Sequence, residues 1–379
     1  MATAQMMMFA AAMPNDELQL HRCVRFLLGN QGDDGGWPFV TNTVGRSVSD
    51  ATAWVVMALS AVLDRPTLVA VQNELREAIQ RGAEFLRATD LPTGGWGIMP
   101  GTEWRALSTA LAIRALISTG EDSADESVDA AARSLVSNVD PNSGAWFDSN
   151  RNLSIAVTST VILALDELHA TAGTFEVPLR RARKWLLSAQ GEDSWGDSSR
   201  FTSHEEVDFL DVDGSRSRIE YHYSRRPQAI AALSPAGVGP EVCDGLERLL
   251  SAAQTDDPQV WCGCPQRSWT SWVVFDCWIA LYEVQLSLPS QWHEIWWTPS
   301  RVVISVRGER PPVTFLRRYW PHIAVVLLSL AILAGVVLGG LVDGIGLQAL
   351  TFVVTTLVLS VIANLASALL LEWRRRPFE

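Results

Sequence analysis

The chain has 379 residues, 48% of them hydrophobic and 19% charged, with a net charge of −12 and five Cys. This length supports a large core, and five unevenly spaced Cys exclude a small disulfide-stapled scaffold. So acidic a surface repels phosphate backbones and excludes nucleic acid as a partner.

The N-terminal run MMMFAAAM has no basic flank and is too short to span a bilayer, so no export signal is expected. From there the chain repeats itself. Trp37, Trp96, Trp146, Trp195 and Trp261 each follow a helix-like segment and a turn: QGDDGGW (31–37), TDLPTGGW (89–96), DPNSGAW (140–146), QGEDSW (190–195) and QTDDPQVW (254–261). After each comes a second helical segment, at 50–62, 107–118, 156–168, 224–234 and 270–281, apolar around much of its circumference. The preceding helices are amphipathic: Leu75, Ile79, Ala83 and Leu86 form one stripe, with Glu74, Arg76 and Arg81 off it. The unit is an exposed outer helix, a turn with a Trp, and a buried inner helix. Stacked units make either an open solenoid or a closed ring, and periodicity does not choose between them.

After the last unit, RVVISVRGERPPVTF (301–315) alternates enough for a β-hairpin within a linker at 299–318. Tyr319 to Val342 and Gly344 to Leu371 then give 24 and 28 residues without Asp, Glu, Lys or Arg. A bilayer core takes roughly 20 apolar residues in a helix, so a two-helix transmembrane hairpin is expected at 319–371. Arg317 and Arg318 precede it, and Arg374 to Arg376 follow in a basic tail at 372–379. The positive-inside rule then puts both ends, and the domain at 1–298, in the cytoplasm.

Two turn segments carry a resemblance. Lys184-Trp185-Leu186 with Gln190 and Trp195, and Arg25-Phe26-Leu27 with Gln31, Gly35 and Trp37, resemble the QW motif of the terpene cyclase and protein prenyltransferase superfamily. Arg248-Leu249-Leu250 with Gln254 and Trp261 is a looser third copy. The resemblance covers about residues 15–286 and implies an all-α fold, an α/α toroid with an inner and an outer ring of helices. Five to six pairs are expected, followed by the β linker and the two spans. In that superfamily the Gln and Trp tie helix ends together, so Trp37 and Trp195 are expected to be structural.

Class II cyclases of the superfamily protonate an alkene with a DxDD motif followed by Thr-Ala. Val48-Ser49-Asp50-Ala51-Thr52-Ala53 resembles it, and Asp50 aligns with the proton donor; Val48 and Ala51 replace the outer Asp residues. The matching positions of the next two units are Leu107 and Ala156. The plainer reading is that Ser49 or Asp50 caps the inner helix. The zinc set of the prenyltransferases is incomplete, because Ser215 stands for Cys in Asp213-Gly214-Ser215 and His222 follows too soon. Cys262 and Cys264 read as buried thiols. The acidic stretch His204, Glu205, Glu206, Asp208, Asp211, Asp213 suits Mg²⁺ weakly and reads better as a solvated loop, so no cofactor is expected.

Trp54, Trp104, Tyr221, His222, Trp269 and Trp272 lie near the starts of inner helices. In a toroid those starts share one mouth, where these side chains would contact an isoprenoid or serve as plain packing. The expectation is a membrane-anchored toroid that binds or processes an isoprenoid or long-chain lipid, with Asp50 as acid if cyclisation occurs. The alternative is a non-catalytic toroid that senses a ligand or docks a protein, as part of a bacterial signalling or defence system at the membrane. Expected partners are the bilayer, the lipid, and a partner protein or second copy of the chain.

Overall fold

The structure is a computed structural model that describes residues 3–5, 7–8, 17–39, 46–120, 125–172, 175–197, 204–210, 216–237, 239–252, 271–287, 294–298 and 301–305. The Trp261 turn, Cys262, Cys264, Trp269 and the apolar runs at 319–342 and 344–371 lie outside these residues. No single helix among the described residues is long and apolar enough to cross a membrane.

In chain order the elements are α1 (Glu17–Leu28), α2 (Ser49–Val62), α3 (Gln72–Ala88), α4 (Ala106–Ser118), α5 (Glu126–Ser137), α6 (Ile155–Ala172) and α7 (Glu176–Asp197). There follow β1 (His204–Leu210), β2 (Arg216–His222), α8 (Arg225–Leu233), α9 (Pro240–Ala252), α10 (Ser271–Ser287), β3 (Glu294–Thr298) and β4 (Arg301–Ser305). The even-numbered helices pack in sequence, α2 on α4, α4 on α6, α6 on α8 and α8 on α10. Trp54 of α2 then meets Phe275 of α10 edge-to-face, with ring centroids 5.4 Å apart. This contact joins the last described inner helix to the first, so the inner helices among the described residues form a ring of five. The odd-numbered helices pack around it, and the fold is mostly helical.

Inner and outer helices differ as their sequences require. In α2 and α4 nearly every side chain is buried, because neighbours press on several sides. In α3 the stripe Leu75, Ile79, Ala83 and Leu86 is buried, while Glu74 and Arg76 are exposed. Each fully buried Leu contributes about 2 kcal/mol relative to an exposed one.

The turns of the first three units share one construction. The indole Nε1 of Trp37, Trp96 and Trp146 donates to the carbonyls of Leu27, Leu86 and Leu135, at 2.8, 2.7 and 2.8 Å. Their backbone N–H groups donate to the hydroxyls of Thr52, Thr109 and Thr158, at 2.9, 3.0 and 3.0 Å. One indole thus closes the end of an outer helix and receives the start of an inner one, a structural role. Gln31 Nε2 donates to Gly35 and Ala78 carbonyls at 2.8 and 2.9 Å, and Gln190 Nε2 to the Glu241 carbonyl at 3.0 Å, so both amides reach the next outer helix. Gly94 has φ of 79°, and a Cβ there would lie 2.6 Å from the Ala130 carbonyl oxygen. Only glycine allows that turn to touch α5. Thr109→Val is expected to lower stability by about 1–3 kcal/mol, since the buried Trp96 N–H loses its acceptor in a nearly isosteric change. Chemical denaturation measures it, and a change near zero would mean that the indole and glycine hold the turn alone.

The fourth unit departs from this pattern. A turn was expected at QGEDSW, yet α7 continues to Asp197 and contains Trp195. Asp193 stands two residues before this Trp, where the first three turns have a left-handed glycine, Gly35, Gly94 or Gly144, so nothing favours a left-handed exit from the helix. The connection is made instead by β1 and β2, which pair antiparallel with Glu205 opposite Tyr221 and Asp208 opposite Arg218. The acidic stretch is thus a strand from His204 to Leu210, not a loop. The linker hairpin also sits earlier than expected: β3 and β4 pair across EIWWT and RVVIS. Trp296 and Trp297 supply the β-favouring first strand.

Candidate functional site

At one end of the ring the starts of α2, α4, α6 and α8 are linked by a network of charged and polar side chains. Asp50 is not a cap: Val48 occupies the N-cap position without a side-chain hydrogen bond, which puts Asp50 one residue inside the first turn. Its carboxylate is fully buried and lies 3.7 Å from Nη1 of Arg105, the residue just before α4. The other guanidinium nitrogen, Nη2, contacts Glu205 Oε1 of β1 at 2.7 Å. Glu205 also accepts from the Ser149 N–H at 2.6 Å and from the Tyr223 hydroxyl. Asp148 shapes the Ser149 turn by accepting from Asn150 and Asn152 N–H groups at 2.9 and 2.8 Å.

Burial alone would raise the Glu205 carboxyl, but Arg105, Ser149 and Tyr223 hold it below its ordinary range. The hairpin is thereby fastened to the start of α4 and to the turn before α6. Tyr223 and Ser224 lead directly into α8, whose first residues Arg225 and Arg226 are buried as well.

A second set of residues gathers at the seam between α2 and α10. Trp54 and Phe275 meet as described, Phe275 lies against Trp278 with centroids 5.6 Å apart, and Trp278 stacks on Tyr282 at 5.4 Å. Beside Phe275 stands Asp276. Gln228 Nε2 of α8 donates to its Oδ2 at 3.2 Å, and Ser224 supplies further hydrogen bonds. Burial pushes this carboxyl up to about 7, against the opposing effect of Ser224 and Gln228. At the other end of the inner helices, Arg114 of α4 pairs with Glu167 of α6 at 2.8 Å. Glu283 of α10, raised by burial, is drawn back by the same Arg114.

The sequence-predicted residues fall unevenly on this arrangement. Asp50 and Trp54 stand one turn apart on α2 and face the two sets just described. Trp104 adjoins Arg105 and is half-buried against the core; its Nε1 has no hydrogen-bond partner among the described residues. Tyr221 and His222 end β2, opposite Glu205 and His204, and Trp272 lies in the first turn of α10; only their backbone is described. Trp269 lies outside the described residues. Of the Mg²⁺ candidates, Glu205 pairs with Arg105, while Glu206 and Asp208 meet Arg218 at 2.7 and 2.8 Å. Asp211 and Asp213 lie outside the described residues. Among the described residues no three His, Cys, Asp or Glu side chains come together as a metal site.

Sequence reading missed Arg105, Tyr223 and Asp276, and it placed Glu205 in a solvated acidic loop where the structure buries it against Arg105. Only Asp276 carried a visible signal, a lone carboxyl inside the apolar run WVVFDCWIAL.

No protein family and no curated protein matches the sequence. Among solved structures, ent-copalyl diphosphate synthase from Streptomyces platensis is similar over 75% of this chain and 50% of its own, with a TM-score of 0.50 and 16% identity. The toroid has a terpene cyclase-like fold. The chain spans about half the length of that synthase. Type II terpene cyclase MstE from Scytonema is 18% identical over 68% of this chain and 80% of its own, with a TM-score of 0.31. A variant of MstE in complex with its product merosterolic acid A is 16% identical over 76% and 98%, with a TM-score of 0.34.

Proposed function

We propose that this terpene cyclase-like toroid holds an isoprenoid or other long-chain lipid inside its ring, and that the apolar runs at 319–342 and 344–371 anchor it in a bilayer. The observation that carries the reading is the line of aromatic faces Trp54, Phe275, Trp278 and Tyr282 at the seam between α2 and α10. Aromatic walls with few polar groups suit an apolar chain, and they favour cations if cyclisation occurs. The anchor keeps the ring close to the membrane, where polyprenyl chains dissolve. Asp50 is paired with Arg105, which ties the start of α2 to the start of α4.

That pairing favours a second reading. A β1–β2 hairpin fastened to the ring by Arg105 and Glu205 suits a ligand-sensing module, with hairpin release as the signal and the spans as output.

Lipid extraction of the purified full chain, followed by mass spectrometry, tests the proposal. A co-purifying polyprenyl species is expected from wild type and from Asp50→Asn alike. Incubation with farnesyl, geranylgeranyl and longer polyprenyl alcohols and diphosphates then separates the readings: conversion marks an enzyme, and binding without conversion marks a sensor. No bound lipid and no binding of any of these probes would remove both.

A further inference from the structure

We propose that the donors now satisfied by Glu205 form an anion site, and that the carboxylate head of a lipid acid takes it over and frees the β1–β2 hairpin. This rests on the ligand-sensing reading above and names its ligand class and the group that the ligand displaces.

Three donors converge on the Glu205 carboxylate from three segments. Oε1 lies 2.7 Å from Arg105 Nη2, just before α4, and 2.6 Å from the Ser149 backbone nitrogen in the turn before α6. Oε2 accepts from the hydroxyl of Tyr223, which leads into α8. The donors are positioned without help from Glu205. The Arg105 N–H donates to the Trp96 carbonyl at 2.9 Å, and Asp50 stands 3.7 Å from the guanidinium's Nη1. Asp148 shapes the Ser149 turn through the Asn150 and Asn152 N–H groups, and Tyr223 is buried like Ser224 after it. Were Glu205 to leave, a guanidinium, an amide and a phenol would still aim at one spot. Such a set recognises a compact oxyanion by charge-assisted hydrogen bonds.

The hairpin supplies the acceptor and is lightly seated. Neither strand packs along a described helix; each pairs with the other. Arg218 of β2 meets Glu206 and Asp208 of β1 at 2.7 and 2.8 Å on the exposed side, so these pairs move with the hairpin. A buried ion pair adds little stability over apolar residues of the same volume, so fastening alone does not account for the charges. Exchanging one carboxylate for another keeps the number of buried charges constant. A diphosphate would add charge that the same donors leave unpaired. Glu205 competes from a tether, at an effective concentration on the order of millimolar. A small anion loses that competition, whereas an anion on an apolar tail gains the affinity that displacement requires.

The test uses the full chain in detergent with geranylgeranoic acid, geranylgeraniol, acetate and inorganic phosphate, each read by hydrogen exchange across residues 204–222. The acid is expected to speed exchange in the hairpin at least about tenfold, with the amides of α2 and α4 unchanged. The alcohol should leave the hairpin protected, as should acetate or phosphate at the same micromolar concentration. Glu205→Gln removes the charged competitor, so its hairpin should exchange faster with no ligand present. By quenching of tryptophan fluorescence it should bind the acid about tenfold more tightly than wild type does. A Glu205 that merely held the fold would not tighten binding when replaced. A hairpin unchanged with the acid bound, equal loosening by the alcohol, acetate or phosphate, or acid binding no tighter in Glu205→Gln overturns the assignment while leaving a lipid-binding ring in place. Failure of wild type to bind both the acid and the alcohol overturns the lipid reading and this inference with it.

Discussion

Arg105→Met is expected to destabilise the protein by about 3–5 kcal/mol, because it strips the counter-ion from two buried carboxylates at once. Asp50 is fully buried and Glu205 equally so, and the same guanidinium serves both, at 3.7 and 2.7 Å. Met preserves most of the stem volume, so the loss reports charge and not packing. The pH dependence gives a check on cause. Glu205 is held below its ordinary range, so its contribution is complete above the unfolded value of 4.5 and is lost as pH falls through the lower folded value. The gap between wild type and Arg105→Met should therefore narrow in acid. Adding Glu205→Gln to Arg105→Met should recover part of the loss, since a neutral amide still accepts from the Ser149 N–H through its oxygen and can donate through its NH₂ to the Tyr223 hydroxyl oxygen. Chemical denaturation of the full chain in detergent measures all three. A loss below about 1 kcal/mol would mean that water already reaches the mouth and that the hairpin is not held by charge.

The parts of this molecule that were legible in the sequence are those that local physics repeats. Trp37, Trp96 and Trp146 recur because each closes the same helix end, and the glycines beside them are required by the turn itself. The Thr52, Thr109 and Thr158 bonds put Asp50, Leu107 and Ala156 at one position, the alignment that sequence alone suggested. Pairings between distant segments were not legible. Nothing near Asp50 announces Arg105, and the acidic stretch hid the alternation of β1, in which Glu205 is buried while Glu206 and Asp208 are exposed to meet Arg218. Charge suggested a loop; the ladder to β2 and one buried ion pair overrode it. Asp276 was passed over because a pattern dense in apolar residues reads as core, and a single carboxyl within it hardly alters the pattern.

Asp276→Asn is expected to reverse the usual sign of a core substitution. The folded carboxyl stands at about 7 against an unfolded value of 3.8, so the native state binds the proton more tightly than the unfolded chain does. Stability then falls as pH rises between those two values and levels off above the higher one. The difference corresponds to about 4 kcal/mol, since each tenfold change in proton affinity is worth about 1.4 kcal/mol. Asn cannot ionise and keeps the size and the hydrogen bonds of the protonated acid, so the variant should match wild type near pH 4 and exceed it by about that amount above pH 8. Other carboxyls raised by burial, Asp166 and Glu283 among them, titrate in both proteins and cancel in the difference. Urea midpoints of the two proteins at a series of pH values give the curve directly. If the two run parallel from acid to alkali, Asp276 is already ionised in the fold, and a cation or water must compensate it.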